Sequence, residues 1–197
     1  MKKLLIATAL SALAASAIAA PVTYAIDPTH TYATYEVSHM GFSTQRGTFA
    51  KTDGKVVLDA KTRKGEVDIT IDSSSLQTLN AKRDEHLKGP DFFNAEKFPS
   101  ITFKSTSLQF SGDKLTAVKG NLTLLGVTKP VTLKVTRFHH GKHPMIGKDT
   151  YGADAETVIK RSEFGMKTYV PAISDDVKLV VSCLLYTSDA ADDMQCV

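Results

Sequence analysis

The chain has 197 residues, 42% of them hydrophobic and 23% charged, with a formal net charge of +3 and two cysteines, both beyond residue 182. That length suits one domain of ordinary size. The slight basic excess is far from the dense basic patches that hold nucleic acid, and a body without cysteine rules out a disulfide framework or thiol chemistry.

Met1-Lys2-Lys3 is a basic start, Leu4 to Ala15 is an apolar run, and Ala17-Ile18-Ala19 is a small-x-small site. Together these are the parts of a secretory signal peptide. Residues 1–19 are therefore expected to be removed; cleavage after Ala20 is disfavoured because it would leave Pro21 at the new terminus. Nothing downstream approaches the roughly 20 apolar residues of a spanning helix. The mature protein is expected to be soluble and exported, in a bacterial periplasm.

The first mature element is a strand. Thr31 to His39 places Ala33, Tyr35, Val37 and His39 on one face, with Tyr32, Thr34, Glu36 and Ser38 on the other. Alternation of this kind marks a strand with one buried face. Similar runs follow at Phe42 to Phe49, Lys55 to Leu58 and Val67 to Ile71, with Asp53-Gly54 among the turn residues.

Asn80 to Phe103 breaks the pattern. Asn80 is placed as an N-cap, Ala81 to Lys88 favours helix, and Gly89-Pro90 predicts a left-handed C-terminal cap followed by a residue that cannot continue the turn. The helix should be about two to three turns long. Asp91 is positioned to cap a second short turn carrying Phe92 and Phe93, two rings that need a surface to cover and suit the plug of a barrel.

Strand patterning resumes at Ile101 to Phe110, Leu115 to Leu125, Val131 to Phe138, Ala153 to Ile159 and Val177 to Ser182, with turn signals at Gly112-Asp113, Gly126 and Gly152. Residues 183–197, CLLYTSDAADDMQCV, then change composition and carry both cysteines. CLLYTSDAADD is what one reading frame of a transposon adapter used in sequencing libraries encodes, so this tail is expected to be non-native. An unbroken genomic frame across codon 183 would contradict that. Without signal and tail, the loss of two lysines and three aspartates turns +3 into +4.

About eight strands with one buried face fit a sandwich or a closed barrel, and alternation leaves both open. A barrel of about eight strands is wide enough to be filled by side chains or to hold one slender ligand. The absence of Trp suits either.

A series of blocks runs through the body in order: Asp27-Pro28-x-His30, Val37-x-His39-x-Gly41, Arg46-Gly47-x-Phe49, Asn80-x-x-Arg83-Asp84-x-His86-Leu87, Asp91-Phe92-Phe93, Phe98-Pro99-x-Ile101-x-Phe103, the stretch from Gly120 to Val131, and Arg161-Ser162-x-Phe164-Gly165. In these the chain resembles the YceI-like family of secreted proteins. It departs at Glu163, where Asp is expected, and at Cys183, where strand should continue. The resemblance implies one domain over residues 20–182, all-β with one short helix: an antiparallel eight-stranded lipocalin-like β-barrel. It further implies an apolar tunnel that binds polyisoprenoid or other long-chain amphiphiles, with an isoprenoid or isoprenoid quinone as ligand rather than a catalytic cofactor.

Carried over by position, with the lining inferred from alternation, the wall is expected at Tyr35, Val37, Phe42, Phe49, Ile101, Phe103, Leu122, Leu124 and Phe164, with Phe92 and Phe93 closing one end. His39, Arg83 and Arg161 are candidates to meet a phosphate or quinone head, since Arg presents a fork that suits anionic oxygens. For Arg83, a salt bridge from the helix to Asp84, Glu85 or a neighbouring strand is the competing assignment.

Two other readings stand beside the carrier. His139-His140-x-x-His143 offers three imidazoles in one predicted loop, although the spacing matches no helix-borne zinc motif. A filled barrel could instead dock onto a membrane complex, with Lys55, Lys129, Lys134 and Lys178 decorating its outer face. No nucleophile elbow, zinc-protease helix or phosphate-binding glycine loop favours an enzyme.

Overall fold

The computed structural model describes residues 21–187. The expected signal peptide and residues 188–197, which include Cys196, lie outside them.

The strands are β1 (Val22–Ile26), β2 (Tyr32–His39), β3 (Ser43–Phe49), β4 (Thr52–Asp59), β5 (Lys64–Asp72), β6 (Leu76–Gln77), β7 (Ser100–Ser111), β8 (Lys114–Leu124), β9 (Val127–Lys142), β10 (Asp149–Lys160) and β11 (Ile173–Thr187), with helix α1 (Ala81–Lys88) between β6 and β7. The ring runs β1-β4-β5-β7-β8-β9-β10-β11 and returns from β11 to β1, a closed antiparallel barrel of eight. The remaining long segments extend that ring, because β2 pairs with β11 beside β1, and β3 pairs with β2. β1 and β2 are thus one wall strand interrupted at Asp27-Pro28, and β3 and β4 another interrupted at Ala50-Lys51.

The first interruption has a local cause. Pro28 has no N–H to give to a ladder, and the chain turns a corner there. The Thr31 hydroxyl repairs the gap: it accepts from the Leu184 N–H at 3.0 Å and donates to the Leu184 carbonyl at 3.2 Å. Thr31 is only 1% exposed, so the substitute bonds are shielded from water.

Several strands outrun their sequence patterns. β9 and β10 extend past the expected ends at both termini, and β1 has no counterpart in the expected set. Past the barrel rim an inward position need not be apolar, so alternation fades before the hydrogen-bond ladder stops. β11 likewise continues beyond Ser182, where the barrel domain was expected to end. Cys183 pairs with Ala153 and Leu185 with both Tyr151 and Ile26, and this stretch closes the ring against β1. Leu179, Val181, Cys183 and Leu185 keep the inward parity, and parity is what the sheet responds to.

α1 spans the expected residues. The Asn80 side chain accepts from the Arg83 N–H at 3.0 Å, as an N-cap should. The C-terminus is different from expectation. Gly89 has φ −73° and ψ 176°, extended rather than left-handed. The last helical carbonyls are taken by the turn that follows: Gly89 donates to His86, Phe93 to Leu87 and Ala95 to Lys88. That fold-back holds Phe92 and Phe93 over the barrel end.

Candidate functional site

A cavity of about 250 Å³ lies inside the barrel. On β11 its wall is Ile173, Val177, Leu179, Val181, Cys183 and Leu185, a span of roughly 40 Å at about 3.3 Å per residue. With strands tilted about 40° to the axis, the cavity extends roughly 30 Å. The helix-side end is formed by Leu87, Phe92, Phe93, Arg161 and Met166, the far end by Leu58, Leu108, Phe138, Tyr151 and Leu185.

The aromatic plug is built from edge-on and tilted ring contacts. Phe93 meets Phe49 edge-on at 5.2 Å between centroids and lies 6.2 Å from Tyr35. Phe92 meets His86 at 5.1 Å and Tyr169 at 6.1 Å. Such geometry lets the electropositive ring edges face the electronegative ring faces.

Among the expected residues, Tyr35, Val37, Phe49, Phe92, Phe93, Ile101, Phe103, Leu122, Leu124 and Arg161 line this cavity. Four do not. Phe42 is 91% exposed in the turn before β3, and its parity is opposite to that of Phe49, so it never faced inward. His39 keeps the parity of Tyr35 but sits at the rim, at the exposed end of β2. Phe164 is buried in the same core cluster as the wall residues but does not line the cavity, where Arg161 takes the lining position of the short 3₁₀ turn Arg161–Phe164. Arg83 points away. Its Nε donates to the Thr78 hydroxyl at 2.8 Å, one Nη to the Thr78 carbonyl at 2.6 Å and the other to Gln45 at 3.2 Å. These bonds take the place of the alternative salt bridge: Arg83 reaches Asp84 only through Thr78, whose N–H and hydroxyl both donate to one Asp84 oxygen. Inward residues absent from the expected set include Ala33, Val67, Leu133, Val135, Ala155 and Leu179; all lay within alternating runs, where parity would have found them.

Polar groups in the wall are few. Arg161 is 3% exposed; its Nε donates to the Ser174 carbonyl at 2.9 Å, and its two Nη atoms to Met166 at 3.2 Å and Ile173 at 2.9 Å. Burial lowers its pKa, opposed by the Asp175 charge. Burial pushes the Tyr35 phenol up to about 12, with Arg83 and Asp84 acting in opposite senses. It also pushes the free Cys183 thiol up to about 11, which leaves it protonated and unreactive. The surface that lines the cavity is almost wholly apolar.

The three histidines do not converge. His139 and His140 lie in β9 rather than in a loop, and consecutive strand residues face opposite ways. His140 Nε2 is 2.8 Å from Asp149, whose other oxygen accepts from the Tyr24 hydroxyl at 2.8 Å, and the imidazole stacks on Tyr151 at 4.1 Å. His143 meets the edge of Tyr186. Among the described residues no group of three His, Cys, Asp or Glu is placed to hold a metal ion.

A family model described as the YceI-like domain matches residues 24–184. This chain belongs to the YceI-like family. The YceI proteins of Escherichia coli O157:H7 and Shigella flexneri are each 39% identical to it over 186 residues, covering 92% of this chain and 96% of theirs. Among solved structures, Burkholderia cenocepacia BcnA has TM-score 0.71 and 25% identity, covering 81% of this chain and 98% of its own. The Campylobacter jejuni YCEI protein has TM-score 0.67 and 28% identity, covering 77% and 90%. A polyisoprenoid binding domain from Saccharophagus degradans, implicated in plant cell wall breakdown, shares the fold at TM-score 0.65 and 15% identity, over 85% of this chain and 99% of that one.

The YceI-like blocks read from the sequence mark corners as much as wall. Asp27 accepts from the Thr29 N–H at 2.8 Å, the Thr29 hydroxyl at 2.6 Å and the Tyr186 hydroxyl at 2.8 Å, with His30 Nδ1 at 2.7 Å. At the other end, Ser162 gives its N–H and hydroxyl to Asp175 at 2.8 and 2.7 Å. Each cluster fixes a turn that a wall strand must make.

Proposed function

We propose that this protein is a periplasmic binding and carrier protein for a polyisoprenoid or other long-chain amphiphilic lipid, which it shelters from water inside the barrel. The observation that carries this reading is the cavity itself, apolar from the Phe92–Phe93 plug to Leu185. Burying about ten methylenes at about 0.8 kcal/mol each gives roughly 8 kcal/mol, the scale of micromolar binding before ordering costs. No covalent step is needed, and the wall supplies no group suited to one. A docking module with a filled barrel is disfavoured by the same cavity.

Loading and release are proposed at the helix-side end, by transient contact with a membrane. Exposed Met40, Phe42 and Tyr169 gather there, where Met40 N–H bonds to the Ala172 carbonyl and Tyr169 abuts the cavity residue Phe92. Native mass spectrometry of the protein released from cells by osmotic shock tests the reading. One intact long-chain lipid per chain is expected. An empty barrel, or recovery only with cytoplasmic proteins, would contradict it, and a cleaved lipid would point to an enzyme.

A further inference from the structure

The turn that joins β9 to β10 lies outside the cavity, at the end opposite the Phe92–Phe93 plug. Past Phe138, the last β9 residue in the cavity wall, β9 continues through His139-His140-Gly141-Lys142, roughly 13 Å of further strand at about 3.3 Å per residue. The tip therefore overhangs the barrel. It is closed on itself: His143 donates its N–H to the Lys148 carbonyl at 2.9 Å, its carbonyl accepts from the Gly147 N–H at 2.8 Å, and its Nδ1 accepts from the Met145 N–H at 3.3 Å. Gly147, at φ 69°, takes the left-handed step that this reversal needs. The His143 ring also stands edge-on to Tyr186 of β11 at 5.7 Å, which braces the turn against the wall.

So braced, the turn holds Met145 88% exposed and Ile146 53% exposed at its apex. Single exposed apolar residues are ordinary; the surroundings of this pair are not. Residues 135–148 contain Arg137, Lys142, Lys148 and three histidines, and no Asp or Glu. The carboxylates next in the chain lie behind the tip and are engaged there, Asp149 by His140 and Tyr24, and Asp154 by Arg137. On the β7–β8 turn at the same end of the barrel, Asp113 is paired with Arg63. The apex is thus two apolar side chains in a collar of basic ones. An acidic protein face would answer the collar and leave Met145 and Ile146 unmatched, whereas a bilayer with anionic head groups answers both at once.

We propose that the β9–β10 turn is a docking site for a bilayer surface carrying anionic lipid. Met145 and Ile146 enter the boundary between head groups and acyl chains, and Lys142 with its basic neighbours meets the lipid phosphates. A protein held this way keeps its helix-side rim turned away from the docking surface, so tethering and ligand exchange occur at opposite ends of the barrel. The inference stands on the turn alone and does not depend on what the cavity holds.

The test is flotation of the full chain with two kinds of vesicle, phosphatidylcholine alone and an equal mixture of phosphatidylcholine and phosphatidylglycerol. The wild type is expected to bind the mixed vesicles about tenfold or more tightly than the neutral ones. Lys142→Gln should weaken that binding about fivefold, the loss of one cation at the surface. Met145→Ser combined with Ile146→Ser should weaken it about tenfold or more, since the apolar insertion is gone. Wild-type protein that ignores the mixed vesicles, or binds both kinds equally, would overturn the proposal. So would undiminished binding in the double serine variant, which would mark the turn as a purely electrostatic contact such as an acidic protein could make. The wild-type comparison decides even if a variant fails to fold.

Discussion

The Tyr35 ring occupies the space that a side chain on Gly47 would need. The two residues are directly opposed across β2 and β3, and a Cβ on Gly47 would stand 2.5 Å from one ring carbon and 2.7 Å from the phenol oxygen. The ring therefore lies flat against the wall instead of projecting across the lumen. Phe103 does the same over Gly120, where a Cβ would stand 2.5 Å from the ring. Gly47→Ala should drive Tyr35 into the cavity, costing about 1–3 kcal/mol as overpacking does and weakening lipid binding. Denaturant unfolding and a ligand titration check the two effects; a variant unchanged in both would contradict the packing account.

Ala155 faces the lumen between Val135 and Val181. Replacing it with Phe puts a ring into space the ligand needs. Because the site is a void, Ala155→Phe should fold and gain up to about 1 kcal/mol of stability, while affinity for an isoprenoid alcohol falls by about tenfold or more. Loss of stability with unchanged binding would mean that the lumen at this level is already filled.

Asp27 makes stability depend on acid. Burial alone would raise its pKa, but the bonds from Thr29, His30 and Tyr186 outweigh that and hold the carboxyl well below the usual range. Below the unfolded value of about 3.9, the unfolded chain takes up a proton that the folded chain refuses. Stability present above that pH is therefore lost as pH falls through the folded value. Asp27→Asn should be less stable than wild type at pH 7, and the gap should narrow toward about pH 3. Urea midpoints at the two pH values measure it; a gap that widens on acidification would refute the sign.

The exposed Phe42 and Tyr169 rings separate affinity from exchange. Phe42→Ser leaves the wall untouched, so equilibrium affinity for a soluble isoprenoid alcohol should stay within about twofold while transfer of a fluorescent isoprenoid between vesicles slows. Unchanged transfer would move the exchange mouth elsewhere.

What was legible in the sequence follows from what physical signal each residue carries. Asn80 announced α1 because an N-cap is a local contact, satisfied three residues away. Tyr35, Val37, Ile101 and Phe103 were placed on the wall by parity alone. Phe42 was misplaced by its character, since a large apolar ring was credited with an inward position that neither its parity nor its turn provides. Arg83 and Arg161 look alike as letters; only the tertiary fold sends one to Thr78 and the other to the lumen.

The central claim is that a narrow apolar channel takes up an isoprenoid chain lengthwise, and a chain-length series tests it most directly. Dissociation constants for geraniol, farnesol and geranylgeraniol, measured by titration of the lipid-free protein, should fall with each added isoprene unit. Each unit buries about five more carbons, so every step should exceed about tenfold, until the roughly 30 Å channel is full. Affinity independent of chain length would show that the lumen does not receive the tail.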